Sequence, residues 1–95
     1  MVTWPRQYDI EEPQVLKLRE RVQLVDTSRR ESGLTIEALW MRCISLGEMH
    51  TVLELEAFLF GALRPTREEY NVIAIAMNEF FMEARVDHYI PYIEH

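Results

Sequence analysis

Ninety-five residues suit one domain, and a content of 48% hydrophobic and 11% aromatic residues excludes a disordered chain. The net charge of −6 is unevenly placed: residues 1–33 balance six Lys/Arg against six acids, whereas residues 34–95 set four Arg against ten acids. The second part should therefore repel phosphate backbones, and the lone Cys43 excludes an internal disulfide and suits a reducing cytoplasm.

Residues 1–12 hold Trp4-Pro5 and a loose alternation through Tyr8 and Ile10, which predicts an extended N-terminal arm ahead of a single all-helical domain over 13–95. Pro13, preceded by Glu11 and Glu12, suits a helix start, because a first-turn proline has no N–H to leave unbonded and acids favour the dipole. Helix 1 is expected from Pro13 to Ser32, stopping at Gly33. Its apolar positions Val15, Leu18, Val22 and Val25 step by three and four. That seam can pack on the domain's own helices or pair with another chain.

Thr35 is placed to cap helix 2, where Ile36, Leu39, Trp40, Cys43 and Ile44 make an apolar stripe that ends with Leu46 before Gly47. Residues 51–63 predict helix 3, apolar on almost every side. Thr51 and Glu54 make a capping box, with Gly61 and Pro65 at the stop. A helix of that kind has to be surrounded, and the wide stripes of helices 2 and 4 are expected to bury most of it, leaving Glu56 to mark its exposed edge.

Thr66 and Glu69 repeat the capping box ahead of helix 4, expected over 67–86 with Tyr70, Ile73, Met77, Phe80, Phe81 and Ala84 as its main stripe. From His88 to Ile93 the chain turns extended again, with Tyr89 and Tyr92 among side chains that would not rest in water. Either terminal arm could cover the bundle or reach over a second subunit. The fold expected is all-α, a small bundle of about four helices with extended N- and C-terminal arms.

The residues for chemistry are sparse. The histidines at 50, 88 and 95 are scattered, Glu79 and Glu83 lack a partnering pair, and glycines 33, 47 and 61 sit where helix ends or close packing explain them. The expectation is therefore no catalytic residue, no metal site and no cofactor. Helices 2 and 3 with a turn at Gly47 outline a helix-turn-helix. Its second helix would offer only Glu54 and Glu56 to DNA, so DNA binding would have to use Lys17, Arg19, Arg21, Arg29 and Arg30 of helix 1.

Two stretches carry resemblances. Residues 18–26, Leu-Arg-Glu-Arg-Val-Gln-Leu-Val-Asp, resemble the start of the first helix of the all-helical chorismate mutases, which implies that Arg19 would contact a substrate carboxylate. The pattern departs at Thr27–Gly33, where that family continues a leucine-rich helix with further basic residues. Residues 39–63 and 70–79 resemble short helical proteins of actinobacteria, with no activity attached, which implies a bacterial cytoplasmic setting.

The function expected is that of a small acidic cytoplasmic protein acting through protein–protein contact, as a regulatory or adaptor module. Its expected partners are a second copy of itself, as a homodimer, and another protein, with no membrane; the alternatives are a helix-turn-helix-like DNA-binding regulator using the basic helix 1 and a small helical enzyme of the chorismate-mutase kind. The candidate contact residues are Trp4, Tyr8, Val15, Leu18, Val22, Val25, Tyr89 and Tyr92.

Overall fold

The computed structural model describes residues 13–47 and 51–93, with side chains from Lys17 onward. The arm at 1–12 with Trp4 and Tyr8, the side chain of Val15 and the connection at 48–50 lie outside the described residues. The chain folds as four helices, α1 (Pro13–Glu31), α2 (Ile36–Ser45), α3 (Val52–Leu59) and α4 (Arg67–Ala84), with no strand among the described residues. The all-α expectation is met. None of these helices is long and apolar enough to cross a membrane.

Threonines start three of the helices. Thr35, Thr51 and Thr66 each accept the backbone N–H three residues on, from Ala38, Glu54 and Glu69. Only at Thr66 does the full capping box close, the Glu69 carboxylate accepting the Thr66 N–H at 2.8 Å. At Thr51 only half of it forms, and Glu54 Oε1 is buried with no hydrogen-bond partner.

Three of the helix ends share one device. After α1, Gly33 N–H donates to the Arg30 carbonyl and Leu34 N–H to that of Arg29. After α3, Gly61 donates to Phe58 and Ala62 to Ala57; after α4, Arg85 donates to Met82 and Val86 to Phe81. Each pair closes a Schellman motif around one left-handed residue. Glycine takes that place twice, at φ 75° and 81°, but Arg85 takes it at φ 56° and ψ 39°, against the Cβ–carbonyl crowding that glycine escapes. Helix 3 therefore ends at Leu59, four residues short of the expected Leu63, because the motif at Gly61 stops it before Pro65 can act.

Helices α1 and α2 each pack against both α3 and α4. Leu18, Val22 and Val25 of α1, Leu39 and Cys43 of α2, Leu55, Phe58 and Leu59 of α3 and Tyr70, Ile73, Met77 and Phe81 of α4 share one core. Each of the larger side chains fully removed from water stabilises the fold by about 1.5–3 kcal/mol. Helix 1 is thus integral to the bundle and does not project from it.

Arg85→Gly should raise stability by about 1 kcal/mol, since glycine adopts the left-handed angle without the steric penalty. In a thermal melt this is a rise of about 4–8 °C for a domain of this size. An unchanged or lower melting point would contradict the assignment of strain to Arg85.

Candidate functional site

Two surfaces stand out, and the first is a strap of extended chain. Residues 86–93 leave α4 at Arg85 and run back along it. Ile90 N–H donates to Asn78 Oδ1 at 2.8 Å and Asn78 Nδ2 donates to the Ile90 carbonyl at 3.0 Å. One heptad up the helix the same pair of bonds joins Asn71 to Ile93, both at 2.9 Å. The spacing follows from geometry: seven helical residues rise about 10.5 Å, and three extended residues span about 9–10 Å, so two side-chain amides on one face meet every third peptide of the strap.

Between the clamps, Tyr70 Oη donates to the Pro91 carbonyl at 2.7 Å. Pro91 has no N–H to satisfy, and it holds Ile90 extended. Ile90 is fully buried, Ile93 is buried, and Asn78 is only 8% exposed. Burial and the loss of water around its hydroxyl push the Tyr70 phenol well above its usual range. Nearer the hinge, Ser28 Oγ of α1 lies 3.0 Å from His88 Nε2, and the His88 ring meets Phe81 edge-on at 5.0 Å.

That Ser28–His88 pair borders a cleft of about 410 Å³ with Glu31, Phe80, Ala84 and Asp87. A serine beside a histidine has the elements of a nucleophile. Here, however, Ser28 lies in the last turns of α1, toward the negative end of the helix dipole, where an oxyanion would be disfavoured. The pair is better explained as a latch between strap and bundle.

The second surface is the outer face of α3. Leu53 on that face and Phe60, the C-cap residue just past Leu59, are 71% and 50% exposed. Leu53 and Val52 join Ile36, Glu37, Glu56 and Arg29, whose guanidinium is paired with Asp26, around a groove of about 370 Å³ between the starts of α2 and α3. The sequence predicts this helix covered, with Glu56 at its wet edge. Instead Glu56 is half-buried, and apolar side chains face water.

The expected contact residues divide. Leu18, Val22 and Val25 face inward, so the seam of α1 is occupied by the chain's own helices. Tyr89 and Tyr92 remain exposed and meet edge-to-face at 5.8 Å on the strap, where the Tyr92 hydroxyl also comes within 3.4 Å of Asn78 Nδ2. Asn71, Asn78, Leu53 and Phe60 lie outside the expected contact residues. The signal for the amides was there: two asparagines one heptad apart beside the stripe of helix 4, followed by Ile-Pro-Tyr-Ile.

Three charged residues near the end of α1, Asp26, Arg29 and Arg30, are engaged. Arg29 is buried, its Nε and Nη2 donating to Asp26 Oδ1 at 3.2 and 2.9 Å and its Nη1 to the Leu34 carbonyl at 2.9 Å. Arg30 pairs with the other Asp26 oxygen at 3.3 Å. Asp26 and Arg29 therefore hold the corner between α1 and α2. On α2, Arg42 grips Glu83 of α4 through two bonds at 2.7 and 3.2 Å and lies over the Phe80 ring, and that guanidinium holds the Glu83 carboxyl below its usual range. Burial pushes the Cys43 thiol up to about 12, so it is not a thiolate at neutral pH. Among the described residues no group of three or more His, Cys, Asp or Glu could hold a metal ion.

Comparison with models of known families, with curated proteins and with solved structures finds no match.

Asn78→Ala should strand the N–H and carbonyl of Ile90 in a buried site and cost about 2–4 kcal/mol, more than Asn71→Ala at its half-buried position. Urea titration measures the loss, and protease cleavage within 86–93 should rise with it. A change below about 0.5 kcal/mol would place the strap's stability elsewhere.

Proposed function

We propose that this protein works by protein–protein contact, as a regulatory or adaptor module, with the outer face of α3 as the contact surface. The observation that carries this reading is the exposure of two large apolar side chains, Leu53 in the first turn of α3 and Phe60 at its C-cap. Two large apolar side chains in water are a liability for a lone domain and an anchor for a partner. The groove beside Leu53 is rimmed by Glu37 and Glu56, within a part of the chain that carries ten acids against four arginines. The partner that fits is a protein with an apolar ridge or helix flanked by Lys and Arg, drawn in by charge and held by the apolar contact.

A nucleic-acid partner has less support on this reading. Arg29 and Arg30, two of the five basic positions of helix 1, are tied to Asp26. Asp26 is also part of the stretch that resembles the mutases, and its carboxylate is occupied by those arginines.

The test is affinity capture with the full chain and with Leu53→Ser combined with Phe60→Ser. Both positions are exposed, so each change should move stability by about 0.5 kcal/mol or less. A basic protein should be retained by the parent, be released by salt, and bind about 10- to 100-fold more weakly to the double variant. Equal capture by both chains would remove α3 as the contact surface.

A further inference from the structure

We infer that the strap at 86–93 can be exchanged between two copies of this chain, each copy clamping the other's Ile90 and Ile93 with its own Asn71 and Asn78. This surface is distinct from the α3 face and does not depend on it.

Three observations carry the inference. First, the groove on α4 reads backbone: four of its bonds run from asparagine amides to the N–H and carbonyl groups of Ile90 and Ile93, and a fifth from Tyr70 to the Pro91 carbonyl. A second copy's strap satisfies all five without any new residue, so the exchanged contacts equal the intrachain ones. Second, the segment that would open is short and strained. Arg85 holds a left-handed angle at φ 56°, and His88 N–H turns back onto the Val86 carbonyl at 2.9 Å, so the chain doubles back within about four residues. Straightening this hinge lets Arg85 return to an ordinary angle, which favours the open chain. Third, outside the clamps and the buried Ile90 and Ile93 the strap lies open to solvent: His88, Tyr89 and Tyr92 are exposed, and Ser28 of α1 meets the exposed His88.

The closed and exchanged forms share their clamps, so the hinge sets the balance and concentration shifts it. The occupant is the extended sequence Ile-Pro-Tyr-Ile of the other chain, with isoleucines three apart to meet amides seven apart.

The experiment mixes full-length chains labelled with ¹⁵N and with ¹³C at about 1 mM and asks whether Asn78 of one chain contacts Ile90 of the other, while light scattering follows mass on dilution. Interchain Asn78–Ile90 contacts with a mass approaching twice 11.3 kDa are expected. Two hinge variants should move the dimer dissociation constant in opposite directions. Arg85→Gly relaxes the closed form and should weaken the dimer about fivefold or more; Arg85→Pro cannot adopt a positive φ and should strengthen it by a similar factor. A residue that merely ends α4 would give no such opposition. Should the proline variant fail to fold, the labelled parent chain and the glycine variant still decide. Asn78–Ile90 contacts confined to one chain at about 1 mM, whether the protein is monomeric or dimeric by another face, would overturn the inference.

Discussion

An extended segment laid along a helix has no ladder to join, because the helix has already used its own backbone donors and acceptors. The bundle meets that constraint with two side-chain amides. Asparagine carries the same donor and acceptor pair as a peptide group on a short, stiff stem, so Asn78 and Asn71 supply α4 with two substitute peptides facing outward. Aspartate would lack the donor, and an aliphatic residue would leave the strap's N–H and carbonyl groups dry and unpaired. With the clamps closed, Ile90 and Ile93 complete a core that four short helices form around Phe58, Tyr70 and Phe81. In a chain of this size, whose core is small and whose net stability is modest, two further aliphatic side chains are a meaningful share of the stability.

The other constraint is how abruptly the helices end. Schellman motifs at Gly33, Gly61 and Arg85 reverse the chain within a few residues and keep the helix ends bonded. One consequence is favourable: Arg29 can reach forward to the Leu34 carbonyl and back to Asp26, pinning the corner between α1 and α2. Another is the exposure of α3. With only the residues from Val52 to Leu59, that helix turns Leu55, Phe58 and Leu59 inward and leaves Leu53 and Phe60 outside, flanked by acids.

Local signals in the sequence were read well because they act locally. Thr35, Thr51 and Thr66 cap as their positions imply and Gly33 ends α1, whereas Leu18, Val22 and Val25, expected as contact residues, turn inward to the core. The end of α3 was placed too late because Pro65 is the louder signal, although Gly61 acts first and closes the helix. Arg85 gives no sign at all, since an arginine in a left-handed position is a choice of the surrounding fold and not of its own propensity. The clamps were missed for a different reason. Asn71 and Asn78 have meaning only together with Ile90 and Ile93, residues 12 to 22 positions away, and polar side chains beside an apolar stripe look like its solvated edge until the strap is placed over them. Tyr89 and Tyr92 were recognised as needing a resting place, and the structure gives them each other, in part.

These features favour a protein that acts through surfaces: an apolar, acid-rimmed face on α3, and a groove on α4 that recognises extended backbone through amides. The account rests on the strap being part of the core. Amide hydrogen exchange of Ile90 and Ile93 tests that most directly, because these two N–H groups are the ones held by asparagine. Protection of the Ile90 N–H approaching that of the buried centre of α4, and clearly above that of its exposed neighbour Tyr89, is the predicted result. Exchange of both isoleucine amides at the rate of an unstructured peptide would contradict it.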